Sequence, residues 1–168
     1  TLAQLVFNDE QIQKHFDLKM WVCVSDIFDV KNIVSKILES ATKKKPKAGE
    51  MDTLVYHLSK EIEGKKYFLV LDDVWNEDRA KWSSLIDVLM GGARGSRILV
   101  TTRNEVVANT IHSKSVGRII GTVQSYFLRG LDEDASWSLF KEEAFENGQE
   151  PESSRIISLG REILQKCL

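Results

Sequence analysis

The chain has 168 residues, 42% hydrophobic and 29% charged, a balance that fits one globular domain with a buried core. A net charge of −2 excludes a globally basic nucleic-acid binder, and the longest apolar runs, Met20–Val24 and Tyr67–Leu71, are far too short to cross a bilayer as a helix. The two cysteines, Cys23 and Cys167, lie far apart and read as buried or incidental thiols, so a reducing, intracellular and cytoplasmic setting is expected. His15, His57 and His112 have no partners at metal-ligand spacing.

From the start, Leu2, Leu5, Val6, Ile12 and Phe16 share one face of a helix predicted from Thr1 to about Phe16. A strand follows over Asp17–Val24. Asp29 caps a second helix striped by Ile33, Val34, Ile37 and Leu38. The lysine-rich segment Lys43–Gly49 reads as a solvated connector. Leu54, Val55, Leu58 and Ile62 stripe the next helix, which closes at Gly64. The strand Tyr67–Leu71 comes next, then a helix carrying Trp82, Leu85, Ile86 and Leu89 that Gly91, Gly92 and Gly95 end. Arg97–Thr101 is a further strand, Asn104–Ile111 a short helix and Ser125–Leu128 a fifth strand. Asp132 caps a helix with Trp137, Leu139, Phe140 and Phe145, and Pro151 opens the last one, striped by Ile156, Ile157, Gly160, Ile163, Leu164 and Cys167. Strands alternating with helices imply an α/β fold whose mostly parallel sheet carries helices on both faces.

The chemistry concentrates at Tyr67-Phe-Leu-Val-Leu-Asp-Asp-Val-Trp75. Five apolar residues deliver Asp72 and Asp73 to the carboxyl end of a strand buried on both faces, where parallel sheets place their ligands. A carboxylate there can hold Mg²⁺ beside a nucleotide's phosphates, and its neighbour can orient a water. The same pair could also do no more than end the strand and cap a turn. Trp75, Trp82 and Trp137 read as packing residues, and Trp21 as core.

Several motifs in order then resemble one family, the NB-ARC domain of plant disease-resistance proteins. Thr1–Asp9 looks like the helix that follows a P-loop, and Phe16–Asp26 like the next block. Leu71-Asp-Asp-Val-Trp75 resembles the Walker B motif in the form typical of the non-TIR, coiled-coil class. Gly95–Arg103 resembles the sensor block, and Tyr126–Phe140 the opening of the helical ARC1 subdomain.

The resemblance implies a P-loop NTPase of the STAND class, with sheet order 5-1-4-3-2. Residues 1–130 would form the nucleotide-binding subdomain and residues 131–168 the start of ARC1. It implies ADP/ATP and Mg²⁺ as cofactors, with Asp72 as the metal- and cofactor-binding carboxylate. Asp73 becomes the catalytic, water-polarising residue, and Arg103 the cofactor-binding sensor at the γ-phosphate. It also implies a slow regulatory ATPase inside an intracellular immune receptor, with coiled-coil and leucine-rich-repeat domains and a second copy of the receptor as partners.

The first strand and the Gly-rich P-loop of that family are missing from these 168 residues, so the chain reads as an excerpt of a longer protein. Isolated, it is expected to bind nucleotide poorly. Its Ser125–Leu128 strand, deprived of a neighbour, is expected either to close onto Arg97–Thr101 or to detach. Two other functions compete: a working P-loop ATPase of another class, and an interaction module without nucleotide binding. Trp75 and the Thr101-Thr-Arg103 block favour the switch, and the carboxylate pair together with Arg103 argues against loss of nucleotide binding.

Overall fold

The computed structural model describes residues 1–24, 27–47, 49–112, 122–145, 148–150 and 153–166. They fall into two compact units, Thr1–Ser125 and Tyr126–Leu168.

The first unit is built on a three-stranded parallel sheet. Its strands are β1 (Leu18–Cys23), β2 (Tyr67–Asp72) and β3 (Arg97–Val100), in the spatial order β1-β2-β3. Leu18 pairs with Tyr67 and Cys23 with Asp72, while Phe68 pairs with Arg97 and Leu71 with Val100. This is the neighbour relation that strands two, three and four hold in the expected order. The central strand β2 buries its first five residues and leaves only Asp72 half-exposed.

Pleating sends alternate β2 side chains to opposite faces. Leu69 and Leu71 join Met20 and Val22 in the larger core, with α3 (Val30–Thr42), α4 (Met51–Ile62), α5 (Arg79–Leu89) and Val107 of α6 (Glu105–His112). Phe68 and Val70 pack on the other face with Phe16, Trp21 and Leu99, beneath Phe7 of α1 (Leu2–Asn8) and Ile12 of α2 (Glu10–His15). Trp21 is only partly buried there, edge-on to the Phe7 ring at 5.3 Å between centroids. Helices therefore cover both faces, as the alternating pattern requires.

Four expectations change. The helix drawn from Thr1 to Phe16 is two helices. Asp9 sits between them in extended geometry, and its carboxylate accepts from the backbone N–H groups of Gln11 and Ile12 at 2.8 and 3.2 Å. An aspartate that satisfies orphan donors in this way starts a new helix instead of continuing the old one. The second change is at Ser125–Leu128, which forms no strand; Tyr126 and Phe127 are 84% and 74% exposed. A β-branched or aromatic run becomes a strand only where a ladder receives its backbone groups. Third, of the two readings open for Cys23, buried or incidental, its exposure at the end of β1 sets aside the first. Fourth, α5 closes at Leu89 with Met90 in ordinary right-handed geometry, not through a glycine. Gly92 instead lies against the Tyr67 ring, where a Cβ would overlap it. Pro151 and Cys167 lie outside the described residues.

The second unit is held by aromatics. In α7 (Glu133–Ala144), capped by Asp132, the Trp137 ring stacks on Phe140 at 5.5 Å, and its Nε1 donates to Glu150 at 2.7 Å. Gly160 of α8 (Ser154–Gln165) packs against both rings, and the Arg161 guanidinium lies 4.6 Å above Trp137. Trp82 and Trp137 are the packing residues their patterns predict.

Candidate nucleotide and Mg²⁺ site

Everything at the candidate site depends on how β2 and β3 end. The ladder continues past the strands: the Thr101 N–H donates to the Leu71 carbonyl at 3.0 Å, and the Val74 N–H to the Thr101 carbonyl at 2.9 Å. On the other side the Val24 N–H donates to the Asp72 carbonyl at 2.9 Å. Asp72 is thus held through its own carbonyl on the β1 side and through its neighbours Leu71 and Val74 on the β3 side, at the carboxyl edge of the sheet.

Asp73 leaves the strand at once, with φ 57°, one of two described non-glycine residues with positive φ. The left-handed region costs an L-residue about 1–2 kcal/mol, and aspartate tolerates it better than most. This turn directs the chain into Val74, which is fully buried, and on to Asp78, whose carboxylate caps α5 by accepting from the N–H groups of Ala80 and Lys81. Trp75, between them, is 44% exposed. The packing role expected for it is not what this position provides: with Val74 and Trp82 inside, alternation leaves Trp75 on the surface. Trp82 is buried, and its Nε1 donates to the Asn76 carbonyl at 3.0 Å.

One hydroxyl joins the two carboxylate residues. Thr101 Oγ1 donates to Asp72 Oδ1 at 2.6 Å and accepts from the Asp73 backbone N–H at 2.9 Å. Two residues further, Arg103 Nε lies 3.8 Å from Asp73 Oδ1. At that distance, with the two side chains 81% and 47% exposed, the contact is an ion pair in solvent and contributes little to stability. Its value is positional: a guanidinium stands beside the second carboxylate without being consumed by it. A second clasp lies alongside. The Asn104 side-chain amide donates to Glu77 Oε1 at 2.7 Å, and Asn104 Oδ1 caps the Val106 N–H at 2.8 Å, tying the loop before α6 to the loop before α5.

The structure therefore brings together all three residues singled out from sequence: Asp72, Asp73 and Arg103. Sequence reasoning assigned no role to Thr101, Glu77 or Asn104. Thr101 had a signal, since a hydroxyl residue one step past a strand can reach the end of its neighbour; Glu77 and Asn104 sit in loops with no such signal.

Among the described residues, no cluster of three or more His, Cys, Asp or Glu side chains that could hold a metal ion forms at the site. It suits Mg²⁺ in a different way. That ion keeps several waters and takes one or two carboxylates plus phosphate oxygens. Asp72 could supply one such carboxylate, with Oδ1 held by Thr101 and no hydrogen bond to Oδ2 among the described residues. Two concavities, of about 280 and 380 Å³, lie instead beside α3 and α4, lined by residues that include Asn32, Lys47 and His57. Neither is lined by Asp72, Asp73, Thr101 or Arg103.

Residues 1–150 match the family model of the NB-ARC domain. The chain belongs to the NB-ARC family. NB-ARC is a nucleotide-binding domain of the P-loop NTPase (STAND) class, and the parallel sheet with helices on both faces is that fold. Similar curated proteins include the putative disease resistance protein RGA4 and the disease resistance protein RGA2 of Solanum bulbocastanum. Each is 44% identical over 168 residues, covering 99% of this chain and 16% of the relative. The putative disease resistance RPP13-like protein 1 of Arabidopsis thaliana is 38% identical over 170 residues, covering 99% of this chain and 15% of the relative. The NB-ARC chain thus spans about a sixth of the length of these relatives. No helix among its described residues is long and apolar enough to cross a membrane.

Proposed function

We propose that this NB-ARC chain carries the Mg²⁺- and γ-phosphate-facing part of an ADP/ATP-operated switch in an intracellular, cytoplasmic plant immune receptor. The observation that carries the reading is the Thr101-linked pair Asp72 and Asp73 at the carboxyl end of the central strand, with Arg103 beside it. Parallel sheets bind ligands at that edge.

In this reading Asp72 holds Mg²⁺, which neutralises charge on the bound phosphates. Asp73 orients a water for slow hydrolysis. Arg103, always charged and able to fork onto phosphate oxygens, contacts the γ-phosphate. Residues 1–130 form the nucleotide-binding subdomain and residues 131–168 open the ARC1 helices. ADP holds a closed receptor; ATP favours an open one that self-associates, because only a ligand with different affinities for two states shifts their populations. Coiled-coil and leucine-rich-repeat domains of the same receptor would press on the closed state. The NB-ARC match and the disease-resistance relatives support this switch over a P-loop ATPase of another class, and the intact carboxylate pair supports it over a module without nucleotide.

The test is made on the intact protein containing this chain. ADP and a slowly hydrolysed ATP analogue are each titrated in Mg²⁺, and particle mass is followed by light scattering. The switch requires that both bind and that only the triphosphate raises the mass; equal mass with either nucleotide removes the switch.

A further inference from the structure

Resting on the reading of Asp72 as the Mg²⁺ carboxylate, we propose that Thr101 is a positioning residue for Mg²⁺-nucleotide binding, acting through its hydroxyl on both members of the carboxylate pair.

The directions of its two hydrogen bonds are forced. An ionised carboxylate only accepts, so the single Thr101 O–H proton goes to Asp72 Oδ1, at 2.6 Å. A backbone N–H only donates, so the Asp73 N–H at 2.9 Å takes a lone pair of the same oxygen. One atom therefore sets the Asp72 rotamer and holds Asp73 in its left-handed turn, φ 57°. This bond takes one lone pair of Asp72 Oδ1, and Oδ2 accepts no hydrogen bond among the described residues, so it is the less encumbered oxygen towards a cation.

Thr101 is itself well fixed. Its backbone N–H and carbonyl are both bound, to the Leu71 carbonyl and the Val74 N–H. Its β-branched side chain has few rotamers to choose from. Substitution of the hydroxyl by a methyl, as in Thr101→Val, keeps shape and branching but leaves Asp72 free to rotate and the Asp73 N–H without its acceptor. The pairing also explains why a threonine, and not an apolar strand residue, stands at the first position after β3.

The experiment compares Thr101→Val, Thr101→Ala, Thr101→Ser and Asp72→Ala in the intact protein containing this chain. The readout is binding of a slowly hydrolysed ATP analogue at increasing Mg²⁺, with ADP binding in chelator as the metal-free reference. A hydrogen bond to a charged group is worth roughly tenfold or more in an equilibrium constant. Thr101→Val and Thr101→Ala should therefore raise the Mg²⁺ needed for half-saturation about tenfold, with ADP binding in chelator within about twofold of wild type. Thr101→Ser should lie within about threefold of wild type, because it keeps the proton.

Unchanged Mg²⁺ dependence in both hydroxyl-free variants, while Asp72→Ala is impaired, overturns the role of Thr101 and leaves that of Asp72 standing. Unchanged dependence in Asp72→Ala removes the underlying reading. Equal impairment of Thr101→Ser and Thr101→Val assigns the effect to packing and overturns the proposal. So does a result in which neither hydroxyl-free variant folds and Thr101→Ser does, since the hydroxyl would then serve the fold alone.

Discussion

Asp73 occupies its turn at a cost in stability, and that cost can be measured separately from its chemistry. Asp73→Gly and Asp73→Ala both remove the carboxylate and with it the 3.8 Å pair to Arg103, so that pair cancels when the two variants are compared with each other. What remains is the backbone at φ 57°. A left-handed residue with a Cβ costs about 1–2 kcal/mol, against which glycine forfeits about 0.5–1 kcal/mol of extra freedom in the unfolded chain. Asp73→Gly should thus be the more stable of the two by about 0.5–1 kcal/mol, or roughly 1–4 °C in Tm for a domain of this size. In a right-handed helix the order would be reversed. Urea and thermal unfolding of both variants in the intact NB-ARC domain supply the difference. ATP turnover should be slowed alike in both, with ADP affinity nearly intact, because the lost carboxylate acts on water and not on the bound diphosphate. Asp73→Ala matching or exceeding Asp73→Gly in stability would refute the strain argument; turnover at the wild-type rate in either would remove Asp73 from catalysis.

Three further outcomes are expected. Arg103→Ala should lower the ATP/ADP affinity ratio more than it lowers ADP affinity, since a γ-phosphate contact exists only with the triphosphate; paired titrations showing an unchanged ratio would end the sensor role. Tyr67 gives a pH signature. Its hydroxyl donates to the Leu89 carbonyl at 2.9 Å, and burial pushes its pKa up from 10.0 to about 12. The unfolded chain loses this proton first, so the contribution of Tyr67 to stability is constant below pH 10 and falls as pH rises towards 12, by roughly 3 kcal/mol in all. Tyr67→Phe should flatten that limb in urea titrations while costing about 1 kcal/mol at neutral pH; an unchanged alkaline limb would refute it. Gly92→Ala drives a Cβ into the anchored Tyr67 ring and should cost about 1–3 kcal/mol in thermal unfolding, and a neutral result would show that the ring gives way.

The parts of this molecule that were legible in the sequence are those fixed by local pattern. The apolar run Tyr67–Leu71 reads as a strand covered on both sides, and β2 buries all five of these residues and brings Asp72 to the sheet's carboxyl edge. Asp29 and Asp132 announced their helices by capping chemistry, and both caps are made. What was not legible depends on partners distant in sequence. Ser125–Leu128 has strand composition, yet composition supplies no ladder. Asp9 splits a helix because its carboxylate competes for backbone donors, which an apolar stripe running through Leu5, Val6 and Ile12 conceals. Thr101 shows the same limit at the site: residue type suggested a hydrogen bond, but only the register of β3 on β2 shows that one hydroxyl serves Asp72 and Asp73 together.

The central claim is that the β2 carboxylate handles Mg²⁺-nucleotide at the sheet edge. ATP turnover by the intact protein containing this chain, wild type against Asp72→Ala, tests it most directly. Hydrolysis should be largely abolished in the variant while the fold, followed by its thermal transition, is retained. Equal rates in the two proteins would contradict the account.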